Sequence, residues 1–168
     1  MSGFIEKRAS GASERASNSE PILTWHGSRA MLPLVERIAR DVIHHHTLLA
    51  TLRPELSDLD RNRLKLAWPQ RSRRYQLEEE IRRGEEGLKT ALTELGALGV
   101  TMLDPLSGLV GFPTLVNQRR AYFTWKPGEA ALEFWSYAGD RVRRPVPEEW
   151  TRPENEPRAR PRTRARKK

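Results

Sequence analysis

Apolar residues recur every three or four positions along two long stretches of this chain. A stripe of that spacing is buried only by helices laid side by side. The first stripe is Met31, Val35, Ile38, Val42, His45, Leu49, Leu52, Leu56 and Leu59, with one histidine in the seam. The second is Leu77, Ile81, Gly84, Leu88, Ala91, Leu95 and Leu98. The short connection between them predicts an antiparallel helical hairpin. Thr24 suits the N-cap of a short entry turn, Pro33 the first turn of the long helix and Pro69 the start of the second; Gly96 or Gly99 can end it. Pro54 predicts a kink or a break near Leu52. Gly84 and Gly87 each weaken the second helix by about 1 kcal/mol relative to alanine.

Length then constrains the shape. A first helix of about 30 residues is roughly 45 Å long, whereas a small sheet measures about 20 Å along its strands. Much of the hairpin must therefore project beyond any sheet it rests on. Two helices cover only part of such a stripe, so a homo-oligomer in a four-helix arrangement is expected.

Beyond Gly99 the period changes to two. Val100–Leu103, Leu109–Phe112 (closed by Pro113), Arg119–Trp125 and Ala130–Tyr137 read as strands, separated by the turns Asp104–Gly108 and Lys126–Glu129. The fold class is thus α+β: a long antiparallel helical hairpin followed by a small antiparallel β-sheet. It occupies residues 21–150. The Ser-, Gly- and Ala-rich residues 1–20 and the Arg/Pro-rich basic residues 151–168 are expected to be disordered.

The formal net charge of +8 is uneven. The tail carries eight cations against two acids, and a second block holds Arg61, Arg63, Lys65, Arg71, Arg73 and Arg74 with no acid, so the remainder is mildly acidic. No apolar run approaches the length of a membrane span, and the first twenty residues lack the apolar core of a secretory signal. There is no cysteine, which excludes disulfides and thiolate metal sites and suits a cytoplasmic location.

Leu32-Pro33-Leu34, Leu95-Gly96, Gly99-Val100, Asp104-Pro105, Gly108 to Pro113, Tyr122 to Glu129 and Phe134-Trp135-Ser136 together resemble the bacterial and archaeal family called domain of unknown function 2203. The resemblance covers roughly residues 23–147, is most specific from Gly99 to Ser136, and implies an architecture but no activity. Gly111 stands where the family commonly has an acid, Thr124 where it has a cysteine and Ser136 where it has a histidine. A site built on that cysteine and histidine would be lost here.

Few residues point to chemistry. His44, His45 and His46 are consecutive and lie about 100° apart on a helix, so they cannot converge on one ion; no metal and no cofactor is expected. A phosphate loop, a nucleophile elbow and a cysteine nucleophile are all missing, so no catalytic residue is proposed. The stronger signal is the bend between the helices, where Arg61, Arg63, Lys65, Arg71, Arg73 and Arg74 join Trp68 and Tyr75. Guanidinium groups pair with phosphates and aromatic faces stack on unpaired bases, which points to RNA or ribosome contact. The competing reading pairs Arg71, Arg73 and Arg74 with Glu78, Glu79 and Glu80 along the helix. Two alternatives stand beside RNA contact. One is a small-molecule or metal-dependent protein with a polar-aromatic pocket at Tyr122, Trp125, Glu129 and Trp135; the other is a structural scaffold whose arms bind only one another.

Overall fold

The computed structural model describes residues 21–152. The expectations for residues 1–20 and for the tail beyond Arg152 lie outside them. Helix α1 runs from Trp25 to Arg61, a single turn of 3-10 helix covers Arg63–Lys65, and α2 runs from Trp68 to Ala97. A five-stranded antiparallel meander follows: β1 Thr101–Asp104, β2 Leu109–Val116, β3 Arg119–Trp125, β4 Phe134–Tyr137 and β5 Arg144–Pro145. The short helix α3, Glu148–Thr151, completes the chain's α+β fold. No described helix is long and apolar enough to cross a membrane.

Thr24 caps α1 directly, its hydroxyl accepting from the Gly27 N–H at 3.1 Å. The separate entry turn expected before Pro33 does not form. One helix of 37 residues passes unbroken through both Pro33 and Pro54. The proline cost is offset by packing of the helix between the two rings: Val35, Ile38, Val42, Leu49 and Leu52 are all buried. Helix α2 starts Trp68-Pro69, and the Gln70 side chain reaches back to accept the Ala67 N–H at 3.0 Å. It ends in a Schellman motif. Gly99 takes φ of +72° while Val100 N–H donates to Leu95 and Gly99 N–H to Gly96.

Two apolar clusters follow the stripes. Near the sheet, Val35, Ile38, Ala39 and Val42 with Ala91 and Leu95 pack on Val110, Phe112, Phe123, Trp125 and Trp135. Further out, Leu49, Leu52, Leu77 and Ile81 form a separate core between the helices alone. From Val42 to the end of α1 is 19 residues, so the arm extends about 28 Å past the sheet-side core. Every position of the first stripe is buried or half-buried within one hairpin, so covering it needs no second chain. Gly84 is part of the seam, and a Cβ there would press on Leu49 at 3.1 Å. Gly87 admits the half-buried His45 ring, which a Cβ would overlap.

The sheet differs from its expected bounds in three places. β2 continues through Pro113 because β1 reaches only Gly111, which leaves the outer side of that residue free of a strand. There the Pro113 carbonyl accepts the Leu23 N–H at 2.7 Å. β2 and β3 are joined by Asn117 and Gln118, both with positive φ, the geometry of a type I′ hairpin. β4 begins at Phe134 rather than Ala130, and β5 and α3 are additional elements.

A candidate nucleic-acid interface at the hairpin tip

The tip is where α1 and α2 turn back on each other. Leu66 is the buried plug of the turn, while Leu64, two residues earlier, is fully exposed. The helices are cross-braced by two arginines of α2. Arg73 holds Glu55 of α1 through two hydrogen bonds, 2.8 and 3.1 Å, and also reaches Glu80 at 3.1 Å. Arg74 pairs with Asp60 of α1 at 2.6 Å and with Glu78 at 2.8 Å. Hydrogen bonding to these carboxylates raises both guanidinium pKa values, and the bond from Arg73 holds the Glu55 carboxyl below its ordinary range. Arg61 pairs with Asp58. One helical turn on, hydrogen bonds from Arg82 and then Arg83 hold Glu79 at about 2.

The remaining cations behave differently. Arg63, Lys65 and Arg71 are exposed, and their side chains make no ion pair or hydrogen bond with any described residue. Trp68 and Tyr75 beside them are 69% and 64% exposed. Of the eight residues singled out in the basic block, three therefore brace the arm or its end, and five face outward. The pairing expected along the helix occurs only in part: Arg74 takes Glu78 and Arg73 takes Glu80, each with a second partner on α1 that sequence spacing does not reveal.

The four residues proposed for a pocket on the sheet are not brought together as a set, although Trp125 and Glu129 do touch. Register places Trp125 opposite Val110, and Trp135 opposite Phe123, on the face that packs against the helices. Tyr122 pairs with Ser136 on the opposite face. Tyr122 and Trp125 are three residues apart, and an odd separation along a strand points side chains to opposite sides. Trp135 packs edge-on to Tyr137 and against Trp150 of α3, with ring centroids 5.0 and 5.4 Å apart.

Glu129 is engaged elsewhere. Arg143, from the segment before β5, grips its carboxylate at 2.6 and 2.8 Å, and also donates to the Thr124 hydroxyl at 3.0 Å and the Thr124 carbonyl at 3.1 Å. The guanidinium lies 4.5 Å from the Phe134 ring centroid. Burial pushes the Glu129 carboxyl up, but the hydrogen bonds and charge of Arg143 more than reverse this, and its pKa is lowered. The Trp125 indole donates to the Glu129 carbonyl at 3.0 Å. This network closes on itself and ties the β3–β4 turn to the sheet. Sequence reading missed Arg143 because it is 14 residues from Glu129 in a stretch without a period.

The outer face of the sheet also carries Gly111, Thr124 and Ser136, with Gly111 directly opposite Thr124. Thr124 and Ser136 are buried, and a Cβ at Gly111 would press on Leu103 and Tyr122. Among the described residues no three His, Cys, Asp or Glu side chains come together as a metal site. The Asp104 carboxylate, at the β1–β2 turn, accepts from the Ser107 hydroxyl and from the N–H groups of Leu106 and Ser107, which lowers its pKa.

The model of the uncharacterized conserved protein family DUF2203 matches residues 22–146, the span that builds both hairpin and sheet. The chain belongs to this family. No curated protein and no solved structure matches the chain. The DUF2203 span contains the whole tip, so the basic turn is part of the family domain and not an appendage to it.

Proposed function

We propose that this DUF2203 protein is a non-enzymatic, cytoplasmic interaction protein whose projecting hairpin presents a basic tip to RNA or to a particle that contains it. The observation that carries this reading is the set Arg63, Lys65 and Arg71: three exposed cations with no described partner, at the end of an arm whose other arginines are occupied. Unpaired cations neutralise phosphates and release counterions without first losing an internal ion pair. A location away from the sheet leaves the tip sterically open to a large partner.

The test is binding of a generic RNA by the full chain and by R63E/K65E/R71E. Three phosphate contacts would contribute a slope of about −2 in log affinity against log salt. The triple variant should lose that contribution. Equal binding by the two proteins contradicts the proposal.

A second reading, self-association, rests on a shallow strip on α2 formed by Leu88 and Leu92 and flanked by Glu85 and Lys89. Leu92 is 39% exposed, and the two flanking charges have opposite sign, so the strip can meet a second copy of itself, although Glu85 also holds Arg53 at 2.8 Å. A concentration-independent monomer mass in light scattering contradicts it.

A further inference from the structure

Resting on the tip reading above, we propose that the ligand is specifically an unpaired nucleic-acid strand, held on two aromatic platforms along one face of α2. Trp68 and Tyr75 are seven residues apart, which is two helical turns. Their side chains therefore share a face and stand about 10 Å apart along the axis. Ser72 and Gln76 lie on the same face and offer polar groups between and beside the rings. Both rings are among the most exposed large apolar groups of the molecule and neither belongs to an apolar cluster; the Arg74 guanidinium lies 5.9 Å from the Tyr75 ring centroid, and the fold otherwise makes little use of them.

Charge gives this face a direction. The chain from Arg61 to Leu77 contains no acid, and the free cations Arg63, Lys65 and Arg71 flank Trp68 in sequence. Past Tyr75 the same groove continues to Glu79, Glu80 and Arg83. Those charges are already matched there, Glu79 by Arg82 and Arg83, and Glu80 by Arg73. A phosphate chain is drawn to the Trp68 end, and the part of this groove beyond Tyr75 is lined by no free cation. A separation of about 10 Å is about three stacking steps of 3.4 Å, so the platform spans roughly three or four nucleotides.

Base faces are the feature that separates strand from duplex. Stacking requires an exposed π-face, which an unpaired base offers and a paired base inside a helix does not. A duplex would meet only the cations. A protein partner would also use tryptophan, tyrosine and arginine. Three unpaired like charges in the same acid-free stretch of chain favour a polyanion instead.

The test measures binding of the full chain to a labelled 12-nucleotide single strand and to a duplex of the same length, at one low salt concentration. W68A and Y75A should each weaken the single strand about tenfold and leave the duplex within about twofold. W68F and Y75F should retain most of the single-strand affinity, since a ring remains. Thermal unfolding of all four should match the parent, because neither side chain belongs to the core. Unchanged single-strand binding by W68A/Y75A overturns the strand proposal, as does an equal loss on both ligands. In either case the tip reading survives if R63E/K65E/R71E still weakens binding. If neither oligonucleotide binds the parent chain, both fall, and the exposed rings are left to a protein partner.

Discussion

The two ends of this molecule use the same residue types to opposite effect. At the sheet end, Arg143 directs its donors at Glu129, Thr124 and the Phe134 face, and Trp125 and Trp135 are buried. At the tip, Arg63, Lys65 and Arg71 have no described partner, and Trp68 and Tyr75 stand in solvent. Arginine with an aromatic is thus a structural clamp in one place and an open surface in the other. What distinguishes them is whether a carboxylate and a second layer of chain are within reach. Between the extremes lie Arg73 and Arg74, which use carboxylates of the opposite helix to hold the arm closed.

If that contrast is right, stability and binding should separate by region. The largest effect on folding is expected at the clamp. Arg143→Met leaves the Glu129 carboxylate without its main partner, and should cost about 2–3 kcal/mol in urea unfolding, with RNA affinity unchanged. The site is only partly buried, which keeps the loss below the range for a fully buried pair.

Next is the contact between His45 and Gly87. Gly87→Ala gains helix propensity but collides with the imidazole. A net loss of about 1 kcal/mol is expected. His45→Ala in the same chain should remove the collision, so a double-mutant cycle should show a coupling of at least about 1 kcal/mol. Additive effects would mean that the ring swings aside freely.

The cross-brace comes third. Arg73→Met should lower stability modestly, because the pair is exposed. Its pH dependence has a definite sign. Glu55 and Glu79 are held below their ordinary pKa in the folded chain, so they stabilise it above the unfolded carboxylate range. That contribution disappears as pH falls from about 4.5 toward 2, the value for Glu79. Arg73→Met should flatten only the part owed to Glu55, as read from melting temperatures between pH 2 and 6.

The hairpin was legible because a three-and-four spacing over nine positions has one economical solution, and each of those positions is buried or half-buried. The prolines misled for a related reason. Local rules put a helix start at Pro33 and a kink or a break at Pro54, but burial of the stripe keeps one helix running through both. β5 and α3 left no sequence signal, since two and four residues are too few to show a period. At the tip, composition identified the block but not its division. Only the opposing helix shows that Glu55 and Asp60 take up Arg73 and Arg74 while Arg63, Lys65 and Arg71 go without. On the sheet the alternation already placed Tyr122 and Trp125 on opposite faces, so that pocket could have been rejected from spacing alone.

The most direct measurement is RNA affinity against salt for a chain ending at Arg152, which keeps the tip and removes the basic tail, compared with the same chain carrying R63E/K65E/R71E. The shortened chain should still bind, with a salt slope of about −2, and the triple variant should lose both affinity and slope while its melting temperature stays the same. Binding that vanishes with the tail, or that is indifferent to the three substitutions, would contradict it.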